Sequence, residues 1–333
     1  MNKQNKKIYT ALMNRIAIAL MLNQGLITIL GTVLSKLEAK NTALGGENGL
    51  DLLFRLGECI VYFASFVLPV MLFNELNKNA DREIYEPLES PKASLIETIM
   101  MMGISLGAIT LSAYANYYIV NAFWDYSEFT QQFFWSVELK YTYQIIIYFI
   151  YSAIIPALVE ELLFRETVCR VLTVYGKGTA VVASAALFAL MHSNVEQLLY
   201  TFVAGLLLGW IYVETKSIVF PILLHFVNNG ISSLDAIIYE KCSSEVYNAY
   251  SSYSSIFIWI FMFISLAVFL IKIIKKGSFI QKLTLKPDEN GNEVAPLTIS
   301  ERITGFFSLG ISLFTMYSIA MMVYFIYLCV KTV

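Results

Sequence analysis

Long apolar runs succeed one another almost from end to end of the 333-residue chain, and only 14% of its residues are charged. Soluble domains carry about 25%, so a polytopic membrane protein is expected. At about 20 apolar residues per helical span, the runs near 14–36, 54–75, 94–120, 141–174, 178–195, 197–214, 217–238, 254–274 and 303–330 predict an all-α fold of about nine transmembrane helices. Turn residues punctuate them, among them Gly45-Gly46, Pro87 and Pro91, Gly176-Lys177-Gly178 and Thr215-Lys216-Ser217. The first two runs are the least clean, because Asn23, Gln24, Arg55 and Glu58 lie in or beside them.

Three regions are expected. Residues 1–140 form N-terminal transmembrane helices and an interfacial segment. Residues 141–238 form a helical core, and residues 239–333 form C-terminal helices with a polar cytoplasmic loop at about 275–302. Lys3, Lys6 and Lys7 before an apolar run superficially suggest a signal peptide. The run Ile16–Leu34 is too long for one and no small-residue cleavage site follows, so an uncleaved first span is expected. With nine spans and the N-terminus in the cytoplasm of a cell membrane, 17 of the 23 basic residues fall inside, as the positive-inside rule asks. The aromatic segment Phe123–Trp135 then lies at the outer interface. A formal charge of -2 carries no hint of nucleic acid, and the four cysteines lie far apart with no C-x-x-C pair. Neither a zinc knuckle nor a disulfide framework is supported.

The chain has only two histidines, and both belong to a spaced set of polar residues inside apolar stretches: Glu160-Glu161-x-x-x-Arg165, Phe188-x-x-x-His192 and His225-x-x-x-Asn229. An ionisable side chain at membrane depth costs about 2.5–3.5 kcal/mol on insertion scales, so each marks a functional site by default. Glu160 lies 16 residues before Gly176 and His192 lies 16 after it. In an antiparallel hairpin equal offsets put both at one depth, roughly 24 Å from the turn. Glu161 and Arg165, four apart with the acid first, are oriented for a helical ion pair. Glu160 is turned about 100° away from that pair and is left as the working carboxylate. His225 and Asn229 put an imidazole and an amide on one helix face. The set suits peptide hydrolysis: a carboxylate and a histidine hold a water, while a second imidazole and an amide donate to the developing oxyanion.

Blander readings apply to the parts. The Glu161–Arg165 pair alone can be a structural salt bridge, and a lone membrane histidine is usually a packing residue. Glu97 reads as interfacial, Gly205-x-x-x-Gly209 as a face for close helix packing, and Pro156 and Pro221 as kinks before the active residues. A secondary transporter also keeps intramembrane charges, but it usually shows two related halves, and no internal repeat is visible. Neither the G-x-S-G nor the G-x-G-D string of other intramembrane proteases occurs.

Glu160-Glu161-Leu-Leu-Phe-Arg165, Phe188-Ala-Leu-Met-His192, and Gly205-Leu-Leu-Leu-Gly209-Trp-Ile-Tyr followed by Pro221-Ile-Leu-Leu-His225-Phe-Val-Asn-Asn229 resemble the CAAX protease and bacteriocin-processing (CPBP, or Abi) family. That family includes the type II CAAX prenyl endopeptidases, and the resemblance covers about residues 141–232. It implies an intramembrane endopeptidase in which Glu160 is the general base and His192 helps hold the water. His225 and Asn229 then form the oxyanion site, with Glu161 and Arg165 in support. A metal-free glutamate mechanism is favoured. Zinc stays open, because Glu160, His192 and His225 could form a His₂Glu site. The expected partners are the lipid bilayer and a peptide precursor or membrane-associated protein reached within it. A non-catalytic immunity or scaffold protein of the same fold is the alternative, since fold alone does not settle function.

Overall fold

The computed structural model describes residues 3–43, 50–78, 93–123, 139–276 and 298–332. The aromatic segment expected at the outer interface and most of the 275–302 loop lie outside them. Among the described residues the chain is helical throughout, without strands. The helices are α1 (Lys3–Ala43), α2 (Asp51–Asn77), α3 (Leu95–Phe123), α4 (Thr142–Tyr175), α5 (Lys177–Met191), α6 (Val195–Thr215), α7 (Val219–Lys241), α8 (Ser244–Lys276), α9 (Ile299–Phe306) and α10 (Leu309–Thr332).

Each of the nine expected runs falls on a helix, but not every helix has the makings of a span. Six are long and apolar enough to cross a membrane: α1 to α4, α6 and α8. The α9–α10 pair, bent by 65°, makes a seventh if counted as one. At 1.5 Å per residue α5 is only about 22 Å long, short of the roughly 30 Å hydrocarbon core. In α7 the polar residues His225, Asn228, Asn229, Ser232, Ser233 and Asp235 dilute the apolar sequence. The chain is thus a multi-pass membrane protein, with six or seven spans by length and composition among the described residues.

Gly176 joins α4 to α5 with φ 106°, a conformation closed to most side chains. Beyond it α5 and α6 pack as a hairpin so close that a Cβ on Gly205 would stand 2.8 Å from Ala185 Cα. The expected helix over 178–195 stops early, because Ser193 takes φ 49° and Asn194 caps α6 by accepting from Glu196 N at 2.9 Å. These are turn residues, and they put a chain reversal where the apolar run suggested continuous helix.

Backbone exposed away from water must find partners, and polar residues from other helices supply them. Gln24 Nε2 donates to Met191 O at 2.7 Å. Asn116 Oδ1 accepts from Leu199 N at 3.3 Å, and its amide nitrogen donates to Glu196 O. Asn23, wholly buried, donates to Ser65 O at 2.9 Å and joins α1 to α2. Asn23 and Gln24, which made the first run look unclean, therefore bind helices together. Asp51 does the same at the start of α2, accepting from Arg55, Tyr143 and Gln144 at 2.8 to 3.0 Å. Glu97 accepts from Ser94 in the first turn of α3 and pairs with Lys272 of α8 at 3.4 Å.

Apolar packing forms two centres. One joins α1, α2, α4, α5 and α10 through Met13, Ile16, Phe66, Phe73, Leu163, Phe164, Leu187, Ile311 and Phe314. The other joins α3, α6, α7 and α8 through Leu106, Ile109, Leu208, Ile211, Leu224 and Ile258. The polar core lies where residues of the two centres meet.

Candidate active site

A cavity of about 200 Å³ lies between α2, α3, α4, α5, α6 and α7. Glu160 comes to it from α4, His192 from the residue that ends α5, and His225 and Asn229 from α7. Glu161 and Arg165 stand behind this lining, both fully buried. Six residues spread over 70 positions of sequence are thereby brought together.

The path of α4 accounts for part of this. Two π-helical segments, Ile150–Ile154 and Leu162–Cys169, flank the short α-helical stretch Ile155–Glu161. Such widened turns often accompany functional sites. Pro156 has no N–H to offer Ser152 four residues earlier. Asn229 Nδ2 reaches that carbonyl instead, at 3.3 Å. Pro156 thus accompanies a local change in helix type. Pro221 differs: it sits in the first turn of α7, where a missing N–H removes no intrahelical bond. The expected kink there is replaced by a helix start.

Glu161 is the hub of a buried chain. Its Oε1 accepts from His225 Nδ1 at 2.8 Å. Its Oε2 lies 3.0 Å from Arg165 Nε, a charge contact without a well-directed hydrogen bond. The guanidinium lies 4.8 Å over the Phe188 ring and donates from NH2 to Gly205 O at 3.4 Å. Arg165 therefore ties α4 to both arms of the α5–α6 hairpin. Phe188 in turn meets His192 edge-on, with ring centroids 4.8 Å apart.

The hydrogen-bond partners decide where ring protons sit. His192 Nδ1 lies 2.8 Å from Phe188 O. A carbonyl only accepts, so Nδ1 carries the proton and the neutral ring keeps a lone pair on Nε2. His225 likewise holds a proton on Nδ1 toward Glu161, and its Nε2 stands 3.9 Å from Glu160 Oε2. Glu160 is buried, its Oε1 accepting from the Tyr62 hydroxyl while Oε2 has no hydrogen-bond partner. Asn229 Oδ1 accepts from Asn228 Nδ2 at 3.2 Å. With one N–H on Ser152 O, its amide nitrogen has a second to give.

Among the described residues no three His, Cys, Asp or Glu side chains converge in a metal-holding group. As placed, Glu160, His192 and His225 do not form a three-ligand zinc centre.

Sequence reasoning did not find Tyr62, Gln197, Tyr200, Thr201 or Asn228, all of which line the cavity. Tyr62 is one of 21 tyrosines and sits in an ordinary apolar run. Only the packing of α2 on α4 singles it out.

Comparison with known proteins points the same way. Residues 142–231 match the family model of the Rce1-like type II CAAX prenyl endopeptidases. The chain is 32% identical over 91 residues to the membrane-embedded CAAX protease MroQ of Staphylococcus aureus (strain USA300). That match covers 25% of this chain and 37% of its relative, so it spans little more than a third of that protein's length. No solved structure matches. The helical core of residues 142–231 is therefore similar to the CPBP-type family of membrane CAAX proteases.

Proposed function

We propose that the chain is an intramembrane endopeptidase that hydrolyses a peptide bond with a water activated by Glu160. The observation that carries this reading is the meeting of Glu160, His192, His225 and Asn229 on one cavity, with an unpartnered carboxylate oxygen among them. Glu160 Oε2 takes a proton from the water, and the Nε2 lone pair of His192 helps hold that water. The resulting hydroxide adds to the scissile carbonyl carbon. Asn229 Nδ2 and His225 Nε2 donate to the oxyanion. For Nε2 to donate, the His225 ring must carry both protons, and Glu161 at 2.8 Å offsets that charge. Collapse of the intermediate breaks the C–N bond, and the proton on Glu160 passes to the leaving amine. The products are a carboxylic acid and an amine, with Glu160 restored.

The protein's own donors supply the polarisation in this scheme, so the proposed reaction is metal-free. The test is cleavage of candidate peptide precursors and membrane-protein termini by purified wild type beside Glu160→Ala, with and without a membrane-permeant chelator. Cleavage by wild type alone, unchanged by chelation, is the expected result. Loss of activity with chelator, its return on adding zinc, and about one bound zinc per chain would replace the base mechanism with a zinc one.

The substrate is proposed to be a peptide precursor or a membrane-associated protein that enters from the bilayer, with the N-terminus of the enzyme in the cytoplasm. A cysteine placed at Lys78 is then expected to react with an impermeant thiol reagent only from the cytoplasmic side, and one at Tyr247 only from outside. Labelling in the opposite sense would invert the orientation.

A further inference from the structure

Glu160 has a partner outside the family-matched segment. Its Oε1 accepts from the hydroxyl of Tyr62, a residue of α2, while Oε2 is left without a partner beside the cavity. We propose that Tyr62 is a positioning residue for the carboxylate base, so that α2 completes a site otherwise built from residues 142–231. This rests on the protease reading of Glu160.

The last torsion of a glutamate is broad and nearly two-fold, so an untethered carboxylate presents either oxygen at varied angles. A charge-assisted O–H···O bond to one oxygen fixes that torsion and leaves the other to meet the water. Positioning of this kind counts when the reacting groups must be held within about 0.5 Å. The tether is itself held in place. The Tyr62 ring packs against Phe66 at 5.0 Å and Tyr151 at 5.5 Å between centroids. The next turn is anchored where Ser65 Oγ donates to Tyr62 O at 2.7 Å and Asn23 donates to Ser65 O. A tyrosine there only for packing has no use for its hydroxyl, and phenylalanine would serve as well.

Tyr62→Phe removes the hydroxyl and keeps the ring contacts, so the variant is expected to fold. In full-length protein it should lower kcat about tenfold or more, with KM within about twofold and only the small fall in melting temperature that one lost buried hydrogen bond costs. Near-wild-type kcat in Tyr62→Phe, where Glu160→Gln is inactive, would overturn the inference and leave the protease reading standing. A fall in kcat accompanied by loss of folded protein at the assay temperature would also overturn it, because Tyr62 would then be structural.

A second measurement does not need turnover. Dicyclohexylcarbodiimide, a hydrophobic carbodiimide that modifies carboxyl groups in apolar surroundings, is followed by mass spectrometry at Glu160. Tyr62→Phe is expected to be modified several-fold faster at Glu160, with Glu161, held by His225 and Arg165, unchanged. Equal rates at Glu160 in the two proteins would refute the tether. If wild type cleaves no peptide, the protease reading has failed, and the labelling decides the tether by itself.

Discussion

Glu160→Gln is expected to abolish all but a trace of cleavage while the protein inserts, purifies and melts as wild type does. The amide matches the carboxylate in shape, and its oxygen can still accept from Tyr62. What it cannot do is take a proton from water, and loss of a general base costs about 10²–10⁴-fold in rate. His192→Ala should cost a comparable factor, because the water loses its second holder. The measurement is initial rate of peptide cleavage in proteoliposomes at equal protein. If Glu160→Gln cleaves at a rate near wild type, the base is another group and the mechanism proposed for this cavity is wrong.

The way the site assembles explains which parts of it could be read from sequence. Spacing within one helix carries reliable geometry: Glu161 and Arg165, four apart, do meet at 3.0 Å. Spacing about a turn carries somewhat less. Equal offsets from Gly176 correctly place Glu160 and His192 on one cavity. They do not reveal that α5 ends at Met191, because the turn formed by Ser193 and Asn194 interrupts a run whose apolar content continues into α6. Contacts between helices distant in sequence leave no periodic trace. Nothing in the motif His225-x-x-x-Asn229 says that the imidazole bonds Glu161, 64 residues earlier, rather than standing free beside its amide. Tyr62 and Gln24 are further cases. Each acts through one interhelical hydrogen bond, and each looks from sequence like a stray polar group in an apolar run. The expected count of about nine spans is approximate for a related reason: α7 matches a span in length, but its His225, Asn228 and Asn229 line the cavity.

Arg165→Ala is expected to have the largest effect on stability of any substitution in the core. Arg165 and Glu161 are both wholly buried, and removing one partner of such a pair strands the other charge, at a cost of about 3–5 kcal/mol. The guanidinium also lies over Phe188 and reaches Gly205 O, so its loss loosens the hairpin that carries His192. The expected result is a markedly lower melting temperature in detergent, with cleavage lost alongside it. Arg165→Lys keeps the charge but not the planar fork, and should fall between the two. Exchanging the charges, Glu161→Arg with Arg165→Glu, separates two accounts of the pair. If it were an isolated ion pair, the exchange would restore stability. Here position 161 also faces the Nδ1 proton of His225 at 2.8 Å, where an arginine would set donor against donor. A carboxylate at position 165 would meet a carbonyl oxygen and the negative face of an aromatic ring. The exchanged protein is therefore expected to melt no higher than Arg165→Ala. Recovery of the wild-type melting temperature would show that neither His225 nor Phe188 constrains the pair, and Arg165→Ala melting like wild type would remove it from the core altogether.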